Sequence, residues 1–315
     1  MHPNGTILAM FKDYEDADFW SDLLKGAPRV IRLTPGEDPA VILENLRQLG
    51  IVPGLTIISA RLYPHGSRDM IAAVRNCFPA TEFLLVSSSQ DPAPPLQPLI
   101  KDGVRHLVID PIDPGKGELM TRAAMKLLEG SPWRISDYLT GSVSVHEFFI
   151  SSSEQKEELI AALGSLIPGD SAEAEMLREK GALLADEMLE NAMYGAPRDD
   201  SGGKIFQKGE KRTMLPGERI VFRFGFDGES LAMEVADGWG SLSPETVMEH
   251  LELDPEGSEM AGDWGGRGLF ILWRFLDQLH VSITPGRQTV VGGHIKLAAT
   301  EDPLTAPRGF HISTF

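Results

Sequence analysis

The 315-residue sequence has a single cysteine, Cys77. One thiol cannot build a disulfide framework within a chain, which fits a reducing compartment and points to a cytoplasmic protein. Cys77 stands in VRNCFPA, at the expected end of a helix, and is read as a buried structural thiol. No apolar run approaches the roughly 18 residues of a membrane helix, so no membrane association is expected. The opening residues, MHPNGTILAMFKDYED, lack the basic start, apolar stretch and small-residue cleavage site of a signal peptide. Cations are scarce: 29 Lys and Arg stand against 46 Asp and Glu, a net charge of −17. Phosphate contacts need clustered Lys and Arg, so nucleic acid is not expected as the main partner. The same deficit disfavours an anionic membrane surface. It allows a basic protein partner, or solubility alone.

What is present is a regular alternation of strand and helix signals through the first 130 residues. TILAMF, PRVIRLT, LTIISARL, EFLLVSSS and VRHLVIDPI read as five strands. YEDADFWSDLLKG, PAVILENLRQLG, SRDMIAAVRNCF, PLQPLIKDG and GELMTRAAMKLLEG read as the helices that follow them. Continuous apolar strands separated by helices imply a parallel sheet covered on both faces. Five such units predict a doubly wound α/β domain over 1–130, flavodoxin-like, with any site at the C-terminal strand ends.

The order and size of these units resemble a response-regulator receiver. The chemistry departs from that family. Its first strand should lead into acidic residues that hold Mg²⁺, but here Phe11-Lys12-Asp13 offers at most one carboxylate. The third strand should end in a phosphoacceptor Asp, but the chain reads Ile57-Ile58-Ser59-Ala60-Arg61. Asp110-Pro111 stands where a Lys should follow the fifth strand, and only the hydroxyl after the fourth strand could be kept, by Ser87 or Ser88. Without carboxylates nothing binds the metal or accepts phosphate. The expectation is a pseudo-receiver that works by protein contact, with a flavodoxin-like small-ligand binder as the alternative.

Residues 130–144, GSPWRISDYLTGSVS, break the alternation, so a linker is expected over 131–142 and a second domain over 143–315. VHEFFIS reads as a strand and SSEQKEELIAALGSLI as a helix capped by Ser152 or Ser153. A longer helix is expected from about Ser171 to Tyr194. Within it Leu184, Glu187, Met188 and Asn191 fall on one face by their i, i+3, i+4, i+7 spacing. Two polar residues on an otherwise apolar face indicate either a compensating ligand or metal, or a partly exposed helix edge. RIVFRFGFDGESLAMEVADG places two strands around the Asp227-Gly228 turn, and the second ends in Asp237-Gly238-Trp239-Gly240. An Asp followed by glycines can present its carboxylate while the backbone approaches a ligand. DPEGSEMAGDW, polar and Gly-containing, has the length of a mobile lid. GGRGLFILWRF (265–275) then opens an apolar helix with a Gly-rich loop, an arrangement that favours phosphate.

Glu-x-x-x-Asn on a helix, Asp with glycines after a strand, and GGRGLF opening a helix, in this order, resemble the GHKL ATPase family. That family includes histidine-kinase catalytic domains and anti-sigma-factor serine kinases. ADEMLENAMYGA (185–196), VADGWGSLSPE (235–245) and GGRGLFILWRF carry the likeness, which spans about residues 143–298. VSITPGRQTV and GGHIKLA fit the closing strands of such a domain. The resemblance implies an α+β two-layer sandwich, with a mixed sheet and helices on one face. It implies ATP and Mg²⁺ as cofactors. Asn191 would coordinate Mg²⁺ through the ATP phosphates, Glu187 would be the general base, and Asp237 would accept a hydrogen bond from the adenine amino group. Gly266 and Gly268 would let the lid backbone wrap the phosphates, with Arg267 as a nearby cation. One departure stands out: the family pattern Asp-x-Gly-x-Gly is shortened here, with Trp239 inside it and Gly240 serving for either glycine.

No metal site is expected from the histidines, with His280 and His294 on strands apart from any paired His. His146 in VHEFF is read as structural, since no phosphoacceptor helix precedes it. The leading functional expectation is an anti-sigma-type serine kinase in a partner-switching signalling pathway, with a protein such as an anti-anti-sigma factor or sigma factor as partner and a homodimer compatible. The alternative is a non-catalytic nucleotide sensor or scaffold; a histidine kinase ranks last.

Overall fold

The computed structural model describes residues 5–11, 29–33, 37–62, 68–88, 94–110, 118–199, 201–252, 267–297 and 307–315. They form two compact units, Met1–Pro132 with Ala306–Phe310, and Trp133–Thr305 with His311–Phe315. The helix expected over 14–26 lies outside the described residues, as do the lid 254–264, Gly265 and Gly266.

The first unit carries β1 (Thr6–Met10), β2 (Arg29–Leu33), α1 (Pro39–Gln48), β3 (Leu55–Ser59), α2 (Arg68–Cys77), β4 (Glu82–Ser88), α3 (Leu96–Lys101), β5 (His106–Asp110) and α4 (Glu118–Glu129). The strands are parallel and lie in the order β2-β1-β3-β4-β5. This is the flavodoxin-like and receiver-like order, so the N-terminal region is receiver-like by its own topology. β1 and β3 are buried at every position, as a doubly covered sheet requires. Asp38 caps α1 by accepting from the Ala40 N–H at 2.9 Å, and Gly50 closes it at φ 66°. The third strand is shorter than the apolar run predicts. It stops at Ser59, and Ala60–Leu62 turns into a short 3-10 helix. Ser59 is buried where a receiver carries its phosphoacceptor Asp. Cys77 ends α2 as expected, but it is half-buried rather than enclosed.

The second unit begins at Trp133, inside the expected linker. Trp133, Ile135, Tyr138 and Leu139 are all buried, so much of 131–142 is core and not connection. Its loop-like composition hid four apolar anchors. There follow β6 (His146–Ile150), α5 (Lys156–Gly164), α6 (Ala172–Glu190), β7 (Ile220–Phe226), β8 (Ser230–Asp237), α7 (Pro244–Leu251), α8 (Arg267–Phe275), β9 (Gln278–Thr284), β10 (Gln288–Lys296) and β11 (Gly309–Thr314). The strand order is β11-β9-β10-β8-β7-β6, with antiparallel pairing from β9 through β6. α7 and β11 were not anticipated. The expected strands VSITPGRQTV and GGHIKLA are also redrawn. The turn falls at Pro285-Gly286, with Gly286 at φ 65°, and Gly292-Gly293 lies within β10. Pro and a left-handed Gly override the β-branched residues around them.

Period-two alternation sends neighbouring residues of β8 to opposite faces of this sheet. One face packs under α6. Gly181 on that helix lets it come close, since a Cβ there would stand 2.7 Å from Leu231 Cδ2. The other face carries a row of directly opposed residues, Glu147, Arg223, Glu234, Gly292 and His280, across five strands. Arg223 donates to Glu147 at 2.5 Å and to Glu234 at 3.0 Å. Glu234 also lies 3.3 Å from His280 Nε2, close in distance but poorly aligned for a hydrogen bond. They meet because Gly292 has no side chain: a Cβ there would stand 2.5 Å from both Glu234 Cβ and His280 Cε1. The segment around Tyr138 closes this face. The Ile135 N–H donates to Glu234 at 3.2 Å, the Tyr138 hydroxyl lies 3.2 Å from His280 Nδ1, and its ring stacks on His294 at 4.5 Å. His280 and His294, expected to stand apart, therefore share one buried tyrosine.

Candidate functional site

α6 starts with Ser171, whose hydroxyl accepts from the Ala174 N–H at 3.2 Å, and carries Glu173 and Glu175 in its first turn. Its last turn widens into a π-helical segment, Asn191–Gly195. Such bulges cost regular hydrogen bonding and are frequent at functional sites. Here the bulge holds Asn191 toward a cavity of about 150 Å³. The cavity lies between the end of α6, the end of β8 and α7. Asn191, Asp237, Thr246, His250, Arg198 and Leu269 contribute to its wall. A cavity of roughly this size accepts one aromatic ring.

Asp237 ends β8 and is buried at 6% exposure. Its carboxylate accepts from the Trp239 N–H at 2.8 Å. Burial pushes its pKa up to about 6, against the opposing pull of backbone N–H groups from Trp239, Gly240 and Thr289. Thr289 is the residue opposite Asp237 on β10, and its buried hydroxyl has no partner among the described residues. Asn191 Nδ2 is likewise buried without a partner among them. Unsatisfied buried donors and acceptors are costly, and Asn191 on the cavity wall, with Thr289 across the strand from Asp237, suits a ligand that completes it. Burial also lowers the pKa of His250, which keeps it neutral near neutral pH.

Gly268, in the first turn of α8, is buried against Asn191. A Cβ on it would come within 2.5 Å of Asn191 Nδ2. Arg267 opens the same helix. Gly240 has a different role from the one expected. At φ 58° it packs on the β9–β10 turn, where a Cβ would stand 2.3 Å from Thr284 O, and its carbonyl accepts from the Gly286 N–H at 3.0 Å. It is a backbone contact of the sheet and does not line the cavity. Trp239, the bulky residue inside the shortened motif, donates its indole N–H to Glu218 at 3.3 Å. Glu218 in turn pairs with buried Arg212, which donates to the Met193 carbonyl at 2.6 Å.

Glu187 is half-buried on α6 but is not among the residues that line the cavity. Its carboxylate lies 3.7 Å from Lys208 Nζ, and the same lysine lies 3.9 Å from Glu190. Glu190 also accepts from Lys156 at 2.6 Å, and Lys156 pairs with Asp186 at 2.7 Å. The face seen in the sequence thus divides, with Asn191 turned to the cavity and Glu187 to a charged flank. Among the described residues no group of three or more His, Cys, Asp or Glu is placed to hold a metal ion. Among them, too, no helix is long and apolar enough to cross a membrane. Sequence reasoning missed Thr289, Thr246, His250 and Arg198. Only the alternation that pairs Thr289 with Asp237 could have hinted at the first of these.

No protein-family model and no curated protein matches the sequence. Solved structures that resemble it include a CheY-like protein (tadZ) from Pseudomonas aeruginosa PAO1, 13% identical, with 39% of this chain and 99% of that one covered at a TM-score of 0.30. A pilus assembly-related protein from Burkholderia pseudomallei K96243 is 18% identical, with 42% and 98% covered at 0.32. A response regulator receiver protein from Sinorhizobium medicae WSM419 is 18% identical, with 40% and 96% covered at 0.29. At these scores the likenesses carry no weight beside the strand order of the first unit.

Proposed function

We propose that the second unit is a GHKL-type adenine-nucleotide-binding domain, and that the chain is a cytoplasmic signalling regulator in which this domain follows a receiver-like module. The observation that carries the reading is the convergence of Asn191 and Asp237 on one cavity, with Gly268 closed against Asn191. Asp237 offers a buried acceptor for the adenine amino group, Thr289 an unused hydroxyl beside it, and the cavity has room for one ring. Asn191 would meet the phosphates through Mg²⁺, which when bound neutralises phosphate charge. The residues fit that role as an amide with no other partner, not as a carboxylate cage. Calorimetric titration with Mg-ATP tests the reading. Wild type should bind, and Asn191→Ala and Asp237→Ala should each lose most of the affinity; no heat with wild type refutes it.

Two versions follow. In the first the domain is a serine kinase of the anti-sigma type acting on a partner protein, with Glu187 as general base. In the second it binds nucleotide without turnover and signals by shape. The position of Glu187 beside Lys208, off the cavity wall, favours the second. Phosphate transfer to a partner serine that is abolished by Glu187→Ala would decide for the first. The first unit lacks receiver chemistry at Ser59 and is assigned to protein contact.

A further inference from the structure

The cavity wall carries two side chains of opposite charge. Asp237 is the only carboxylate among the described residues that line it, and Arg198 is the only permanently charged cation. The two are not an ion pair: Arg198 has no ion-pair partner among the described residues, although the chain carries 46 acidic side chains. Other cations of the second unit are engaged, Lys156 with Asp186, Lys211 with Glu154, Arg212 with Glu218 and Arg223 with Glu147. An unpaired guanidinium held on a concave wall is a ready anion site.

The backbone that carries Arg198 is pinned. Arg198 bridges to Lys204 across a small hairpin, the Ile205 N–H donates to the Pro197 carbonyl, and Asp199 closes the turn by accepting from Ser201 and Gly203. The position of Arg198 is therefore set before any ligand arrives, which lowers the ordering cost of binding. The described cations at the end of α6 are themselves engaged, Lys208 beside Glu187 and Glu190, and Arg212 with Glu218 and the Met193 carbonyl. Tyr194, three residues after Asn191, donates its hydroxyl to the Glu210 carbonyl, and Gly195 follows.

We infer that Arg198 is a specificity-determining residue of this cavity, binding the anionic part of the ligand and so selecting a phosphorylated nucleoside over the free nucleoside. The inference rests on the nucleotide reading and adds a residue to it. Asp237 reads the base, and the hairpin 198–204 supplies the charge that reads the phosphate.

The test is calorimetry on the full chain with adenosine and with ADP, both in EDTA so that no metal bridges the phosphates. Wild type should prefer ADP. Arg198→Ala should weaken ADP about ten- to a hundredfold, the range for a charge-assisted contact, and leave adenosine within about twofold. Arg198→Lys should restore part of the ADP affinity, and the preference of wild type should shrink with added salt. Equal loss of adenosine and ADP in Arg198→Ala makes the residue a mere wall and overturns the inference, as does an unchanged ADP affinity. Wild type that binds neither molecule brings down the nucleotide reading itself, a result distinct from either of those.

Discussion

Glu234 and Asp237 are two carboxylates on one strand, three residues apart and both buried, yet their environments are opposite. Glu234 faces Arg223, Arg134 and His280. Burial alone would raise its pKa, but the His280 contact and the nearby guanidinium charges hold it below the usual carboxylate range. Asp237 lines a cavity and has no ion-pair partner among the described residues, and burial lifts its pKa to about 6. Burial with unequal compensation separates a carboxylate paired with cations across the sheet from one offset only by the backbone N–H groups of Trp239, Gly240 and Thr289.

The largest expected effect comes from breaking the paired side. Glu234→Ala leaves Arg223 with Glu147 alone, removes the acceptor of the Ile135 N–H and should cost about 3–5 kcal/mol in urea unfolding. If the loss is below about 1 kcal/mol, the polar row is decoration. Next is the unpaired side. The difference between 3.8 and about 6 corresponds to ~3 kcal/mol, by which Asp237→Asn should stabilise the unliganded chain at pH 7 while losing nucleotide affinity. A variant that is destabilised at pH 7 would show Asp237 to be structural.

The same contrast has a pH signature with opposite signs. Asp237 binds its proton more tightly folded than unfolded, so its cost is absent below about pH 4 and grows as pH rises to about 6. Glu234 has a lowered folded pKa, so its contribution is present above the unfolded value of 4.5 and is lost as pH falls below that. Unfolding of wild type against Asp237→Asn at pH 5 and pH 7 should therefore show the larger gain at pH 7, and nucleotide binding should weaken as pH falls through about 6.

Gly292→Ala places a methyl where Glu234 and His280 meet and should cost about 1–3 kcal/mol, without touching the cavity face. Loss of nucleotide binding with unchanged stability would contradict this division of the sheet. Smallest is Ser243→Ala, which removes the N-cap of α7, where the hydroxyl accepts from the Thr246 N–H at 3.1 Å. About 1 kcal/mol is expected, read as a lower melting temperature.

Much of the fold was legible where local chemistry repeats. The five parallel strands of the first unit showed as apolar runs, and the Asp227-Gly228 turn showed as a dipeptide that needs φ > 0, as Gly228 has at 97°. Asn191 and Asp237 of the cavity wall, and Gly268 packed against Asn191, were legible because each stands in a short motif. Arg198 and Thr289 were not. Neither has a local pattern, and each matters only through what lies beside it in space. Trp133 to Leu139 failed for the converse reason, since Gly, Pro and Ser nearby look like a linker whether or not the apolar residues among them find a core.

The sequence by itself determined most of the elements, though not α7 or β11, and the parity of β8, for a strand with period two must send Glu234 and Asp237 to opposite sides. Only the tertiary structure decided which side became which. α6 with its bulge at Asn191 covers one face and leaves a cavity, while the Tyr138 segment and the opposed Arg223 and His280 fill the other. Parity is a property of the backbone, whereas pairing depends on residues 11 to 99 positions away that meet only when the sheet closes.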